Sequence, residues 1–170
     1  MKRLYLVILL LFLSVFRANG AGFSTNETEI EGFSKSNEVV RIIIKTVKNS
    51  RSNPYYEGFV WGIPEWDDDP DSQYIISSIK VSVDNEEVYI PLSVYCGLGN
   101  PYEVLFKSET NRFSLLISGG DAGTSYRAEL VFEQLPDTDY LRNRIKYRKV
   151  YSGEFPDEVW EKTEYSFIID

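Results

Sequence analysis

The chain has 170 residues, 43% of them hydrophobic, and a formal net charge of −8 at pH 7. It contains no histidine and a single cysteine, Cys96. These counts exclude an internal disulfide, a histidine-based catalytic triad and the usual histidine-containing zinc sites. The excess of acids argues against nucleic acid as a partner, because binding to phosphates depends on Lys and Arg.

The N-terminal residues follow the order of a secretory signal. Lys2 and Arg3 precede an apolar run over residues 4–16, and small residues follow around Gly20. The run is too short for a helix that crosses a hydrocarbon core of roughly 30 Å. We therefore expect a signal peptide over residues 1–20, cleaved after Gly20, and a periplasmic or secreted mature chain without a transmembrane segment. That mature chain has 15 cations, 26 acids and a net charge of −11.

The rest of the chain predicts a polar tether followed by one domain. Residues 21–37 are polar and lack periodicity, apart from a short first strand expected over residues 30–33. Residues 38–170 are enough for a single domain with its own core. We expect this domain to be monomeric. Cys96 is expected to be a small buried hydrophobe near a strand end, with a free thiol or an intermolecular bridge as the alternative.

Alternation of apolar and polar residues from residue 38 onward is typical of half-buried strands. Pro91 marks an edge strand or a break, because it cannot donate a ladder hydrogen bond. Seven or eight such strands, with at most one short helical turn near residues 156–161, predict an all-β antiparallel β-sandwich or jelly roll, with a small closed barrel second. The predicted inward-facing residues are Val40, Ile42, Ile44, Ile75, Ile79, Val81, Val83, Val88, Ile90, Leu92, Val94, Tyr126, Ala128, Leu130 and Phe132. Three further strands are expected at Tyr102, Val104 and Phe106, at Phe113, Leu115 and Ile117, and at Tyr165, Phe167 and Ile169.

Four cations alternate along the predicted strand over residues 140–151. Residues two apart on a strand point to the same face, so the row is expected to face outward. Pairing with the preceding strand then sets Glu129 and Glu133 against it, and this ladder explains the row without an anionic ligand. The row consists of Arg142, Arg144, Lys146 and Arg148, and the expected inward-facing residues are Leu141, Ile145 and Tyr147.

Residues 55–71 combine aromatic and acidic side chains in one predicted loop. Loops on a rigid sheet concentrate binding residues, and the candidate ligand-binding residues are Tyr55, Tyr56, Trp61 and Trp66. Tryptophan can anchor a protein partner or stack on a sugar ring, and it is also a common packing residue in small domains.

Asp67, Asp69 and Asp71 have the alternate spacing by which a loop presents carboxylates to calcium. An EF-hand is excluded, because Ser72 and Ser78 occupy the positions that require Gly and Glu. An irregular calcium site and a solvated acidic turn stay open. No other cofactor is expected.

The function expected from these patterns is a non-enzymatic, exported binding module. Its partner is a protein or another envelope component, and the alternative is a carbohydrate-binding module assisted by calcium. A small jelly-roll glycoside hydrolase is a third hypothesis, since such an enzyme needs two facing carboxylates and no histidine. The candidate carboxylates for that chemistry are Glu57, Glu65, Glu129 and Glu133.

Overall fold

The computed structural model describes residues 20–22, 26–49, 60–64, 73–135 and 142–166 of the chain. Over these ranges the protein is all-β, so the expected fold class is confirmed, with ten strands instead of seven or eight. The strands are β1 (Gly20–Gly22), β2 (Glu27–Phe33), β3 (Val39–Lys48), β4 (Tyr74–Val83), β5 (Glu86–Val88), β6 (Pro101–Glu109), β7 (Arg112–Gly119), β8 (Tyr126–Gln134), β9 (Asn143–Ser152) and β10 (Val159–Glu164).

The strands form two antiparallel sheets. A six-stranded sheet has the order β1-β6-β7-β8-β9-β10, and a four-stranded sheet has the order β2-β3-β4-β5. Several neighbours are joined by tight turns. Between β4 and β5, Asp84 and Asn85 both have positive φ (48° and 71°), which is the conformation a two-residue type I′ hairpin requires.

The core lies between the two sheets, because each sheet turns one set of alternate side chains toward the other. Ile42 of the smaller sheet and Leu115 of the larger one are fully buried members of the same hydrophobic cluster. Gly32 packs so closely on Phe106 that an added Cβ would lie 2.5 Å from the ring. Burying a phenylalanine side chain such as that of Phe106 stabilises the fold by about 1.5–3 kcal/mol. The alternation predicted for β3 is confirmed by this burial. The residues expected to face inward on β4 and β8 are buried too, but Ile76 on β4 and Val131 on β8 are buried as well. On β7, residues 113–117 are all buried.

The segment around Pro91 differs from the expected strand. β5 ends at Val88, and Leu92–Val94 forms a 3₁₀ turn. Val94 is buried, whereas the side chain of Leu92 is exposed. The edge strand or break expected at Pro91 is confirmed, since β5 is the edge of its sheet and Pro91, which has no N–H for a ladder bond, lies outside any strand.

Both ends of the domain contain strands where other structure was expected. Glu27–Phe33 forms β2, which contains the short strand expected over residues 30–33, extends it into the expected tether, and pairs along its whole length with β3. Near the C-terminus, the helical turn expected over residues 156–161 is replaced by a tight turn and by β10. Phe167 and Ile169, expected to form the last strand, lie outside the described residues.

A β-bulge in β9 overturns part of the expected cationic row. Val131 lies opposite Tyr147 and Phe132 lies opposite Ile145, so Lys146 is an extra residue in the ladder. The extra residue reverses the alternation of every side chain that follows. Arg148 is consequently buried rather than exposed, and Tyr147 lies outside the core.

Candidate functional site

The segment 60–64 is attached to the loop that precedes β6. The backbone N–H of Trp61 donates to the carbonyl of Gly97 (2.8 Å), and the N–H of Gly99 donates to the carbonyl of Trp61 (2.8 Å). Gly62 has a φ of +83°, and an added Cβ would lie 2.6 Å from the carbonyl oxygen of Gly99. Only glycine combines this conformation with this close approach. Trp61 is therefore held by the backbone on both sides.

The indole of Trp61 stacks on the indole of Trp160. The ring centroids are 5.1 Å apart and the planes are inclined by 17°. Trp61 is half-buried and packs against the core, whereas Trp160 is 37% exposed. Because Trp61 covers one face of the Trp160 ring, the exposed area of Trp160 belongs to its edges and its other face. Stacked aromatic pairs of this kind contribute about 0.5–1.5 kcal/mol beyond their buried area.

Glu161, the residue after Trp160, connects the tryptophan pair to a buried arginine. Its Oε2 accepts a hydrogen bond from the indole Nε1 of Trp61 (3.2 Å) and lies 3.5 Å from Nη2 of Arg148. Its Oε1 lies 3.4 Å from Nε of Arg148 and accepts from the hydroxyl of Thr163 (3.3 Å). One carboxylate thus fixes the orientation of Trp61 and pairs with the charge of Arg148.

Arg148 also supports the loop beneath the tryptophan pair. Its Nη1 donates to the carbonyls of Ser93 and Cys96, both at 2.9 Å. The residue is 3% exposed, and a buried charge of this kind requires such partners. Cys96 lies in this loop and is half-buried, less than the full burial expected for a small core residue. Nearby, burial raises the pKa of the Tyr165 phenol, so this group stays neutral at neutral pH.

The turn between β9 and β10 leads into the tryptophan pair and is held by its own backbone. The N–H of Glu158 donates to the carbonyl of Phe155 (2.9 Å), which closes a β-turn with Pro156 at its second position. The N–H of Phe155 donates to the hydroxyl of Ser152 (3.0 Å), and the N–H of Ser152 donates to the carbonyl of Glu158 (3.1 Å). Three hydrogen bonds made within residues 152–158 therefore close the turn.

This turn alternates exposed apolar and acidic side chains. Phe155, Val159 and Trp160 are 62%, 47% and 37% exposed, and we call these three residues the tryptophan patch. The three residues lie within six positions of the chain, and large exposed apolar side chains that form a patch mark interaction sites more often than scattered ones do. Three acids of the same turn, Glu154, Asp157 and Glu158, are exposed, and none forms an ion pair with a residue in the described ranges.

Of the ligand-binding residues expected from the sequence, the structure describes only Trp61. It is half-buried, and its indole N–H already has an acceptor within the protein. Tyr55, Tyr56 and Trp66 lie outside the described residues, as do the calcium candidates Asp67, Asp69 and Asp71. Within the described ranges, no group of three or more His, Cys, Asp or Glu side chains could hold a metal ion.

The carboxylates considered for glycoside hydrolysis have separate surroundings. Glu133 accepts from Nε of Arg144 (2.7 Å) and pairs with Nζ of Lys146 (2.9 Å). Glu129 accepts from the hydroxyl of Tyr151 (3.1 Å) and lies opposite Lys149 in the ladder. The expected pairing of Glu133 with the cationic row is confirmed, whereas Glu129 meets different partners because of the bulge. Glu57 and Glu65 lie outside the described residues.

Sequence reasoning missed Trp160, Glu161 and the role of Arg148. Trp160 and Glu161 were assigned to a loop with a helical turn, which hides the alternation of β10. A usable signal was present, because large apolar residues and acids are interleaved over residues 154–160. Nothing local indicates that Trp160 meets Trp61, since the two residues are far apart in the chain.

The comparisons with known proteins found no matching family, no matching curated protein and no matching solved structure. Function is therefore argued from the residues themselves. Among the described residues, no helix is long and apolar enough to cross a membrane.

Proposed function

We propose that the mature chain works outside the cytoplasm as a non-enzymatic binding module for a protein or another envelope component. The observation that carries the proposal is the tryptophan patch, which places three large apolar side chains at the surface of an ordered turn. Tryptophan is enriched among the residues that dominate binding energy at protein interfaces. Export follows from the signal expected over residues 1–20.

Rigidity of the patch supports this role. Hydrogen bonds within residues 152–158 and the stack on Trp61 hold the exposed side chains before any partner arrives. A preordered surface loses little conformational entropy on binding, so more of the contact energy contributes to affinity.

Photo-crosslinking tests the proposal directly. The chain is expressed with its own N-terminal segment, its mature N-terminus is read by mass spectrometry, and Phe155 is replaced by p-benzoylphenylalanine. Phe33 is the matched control, because it is a similarly exposed phenylalanine (57%) on the other sheet. We expect a discrete adduct with extracellular or envelope material from position 155 only. We also expect Trp160→Ala to abolish that adduct.

Adducts that form equally from positions 155 and 33, or that persist in Trp160→Ala, would contradict the proposal. A glycan array, with and without calcium, covers the carbohydrate alternative. Sugar binding lost in Trp160→Ala, with no protein adduct, would assign the patch to a glycan. An N-terminus other than Ala21 would revise the expected cleavage site.

A further inference from the structure

Three acids that make no ion pair with a described residue are close to the tryptophan patch in the chain. Glu154, Asp157 and Glu158 are exposed and flank Phe155, Val159 and Trp160 in the chain. Some exposed acids elsewhere are paired, since Glu29 and Glu31 pair with Arg41 and Glu27 pairs with Lys45, whereas Glu86 and Glu87 on β5 are exposed without an ion pair to a described residue. What distinguishes the turn over residues 154–160 is that three acids unpaired within the described ranges lie within six residues of the exposed Trp160.

An aromatic face beside carboxylates is suited to bind a cation. The ring quadrupole attracts a cation placed over its face, and tryptophan is the strongest of the aromatic side chains in this respect. Arg satisfies both features at once, because its planar guanidinium stacks on a ring while its N–H groups donate to carboxylates in pairs. Lys offers a compact charge without a stacking plane.

From these observations we infer that the turn over residues 154–160 binds an arginine side chain of a basic protein segment, stacked on the outward face of Trp160 and paired with the acids of the turn. The inference deepens the proposed function and rests on it, since it names the chemistry of the partner. The net charge of −8 acts in the same direction, because an acidic protein attracts basic partners over long range.

Hexa-arginine and hexa-lysine are the probes, because they have equal charge and differ in the stacking group. Binding to the full processed chain is measured by tryptophan fluorescence and by calorimetry at low and at physiological salt. We expect saturable binding of hexa-arginine, about three- to tenfold tighter than that of hexa-lysine. Trp160→Ala should remove this preference, and the double variant Asp157→Asn/Glu158→Gln should weaken both peptides.

The matched control is Glu86→Gln/Glu87→Gln, which neutralises two exposed acids on the edge strand of the other sheet. It changes the net charge by the same amount and should leave the preference for arginine intact. Equal affinity for the two peptides, or equal weakening by both double variants, would overturn the inference, because attraction by net charge alone would then explain the binding. Absence of hexa-arginine binding at low salt would overturn it as well.

Competition separates this inference from the proposed function. If hexa-arginine blocks the adduct at position 155, both stand. If the adduct forms and hexa-arginine neither binds nor competes, the patch is a binding surface of another chemistry, and only the arginine inference fails. If no adduct forms, the proposed function fails independently of the peptide result.

Discussion

Arg144 and Arg148 are four residues apart on β9, yet their guanidinium groups are in opposite environments. Arg144 lies on the outer surface of the sheet and pairs with Glu133, which also pairs with Lys146. Arg148 is buried, donates to two backbone carbonyls and pairs with Glu161. A regular strand would turn both side chains to one face, and the bulge at Lys146 separates them.

The difference shows that a single extra residue in a strand can move an arginine from the protein surface to the interior, where its guanidinium supports neighbouring loops. The outer pair resembles other exposed ladder pairs, which contribute little to stability. The buried arginine holds the loop over residues 93–96 and, through Glu161, the indole of Trp61. Arg148 therefore supports the candidate binding surface, although regular strand alternation predicts that its side chain faces solvent.

The largest expected effect is the loss of Arg148. In Arg148→Met the carbonyls of Ser93 and Cys96 lose their donor and Glu161 loses its partner, so we expect a loss of about 2–4 kcal/mol in the free energy of unfolding. Urea denaturation measures it. Arg144→Met is the matched control on the same strand, and its expected loss is at most about 1 kcal/mol. Equal losses in the two variants would refute the distinction between them.

A smaller effect is expected when only the charge that faces Arg148 is removed. Glu161→Gln keeps an oxygen that can accept from Trp61 and loses the ion pair, so we expect a loss of about 1–2 kcal/mol. Glu164→Gln is the control, because Glu164 is exposed and pairs only with Lys162 among the described residues. The control should unfold at the wild-type urea concentration. If Glu161→Gln unfolds at the same urea concentration as wild type, the ion pair between Glu161 and Arg148 contributes nothing to the free energy of unfolding.

Replacing Trp160, which stacks on Trp61, tests whether the network of Arg148 and Glu161 positions the tryptophan pair. Trp160→Ala should abolish the exciton couplet that two stacked indoles give in circular dichroism, and it should lower stability by about 1 kcal/mol. Phe155→Ala, on the same turn, should retain the couplet. Arg148→Met should weaken the couplet if Glu161 positions Trp61 as the distances indicate. A couplet that survives Trp160→Ala would show that the signal has another origin.

The fold was predictable where periodicity is regular. Ile42 and Ile44 on β3 and Leu115 and Ile117 on β7 are buried as their alternation predicts. A bulge cannot be recognised from alternation alone, because the residues on both sides of Lys146 still alternate. The contact between Trp61 and Trp160 was not predictable either, since it depends on how β10 pairs with β9 and on where the loop over residues 97–99 lies. The interleaved apolar and acidic residues over positions 154–160 could be found from sequence, because they are close together in the chain. The contact between Trp61 and Trp160 could not, because long-range strand pairing creates it.

The smallest expected effect concerns the outer pair and its dependence on pH. Partial burial raises the pKa of Glu133, but the hydrogen bonds from Lys146 and Arg144 outweigh it, and the pKa lies below its ordinary value of 4.5. A carboxyl whose pKa is lowered by folding stabilises the protein above its unfolded pKa, and this contribution is lost as the pH falls through the folded pKa. Glu133→Gln should therefore be less stable than wild type by about 0.2–1 kcal/mol at pH 7.

That gap should close as the pH falls through the folded pKa of Glu133, which lies below 4.5, because at still lower pH Glu133 is protonated in the wild type and the substitution no longer removes a charge. Urea midpoints of both proteins across this range measure the gap, and Glu103→Gln on β6, whose carboxyl makes no ion pair with a residue in the described ranges, is the control. A gap that is constant with pH would assign the effect to side-chain packing instead of charge. Packing would then stabilise the outer surface of β9, and charge would contribute to stability only in the buried network around Arg148.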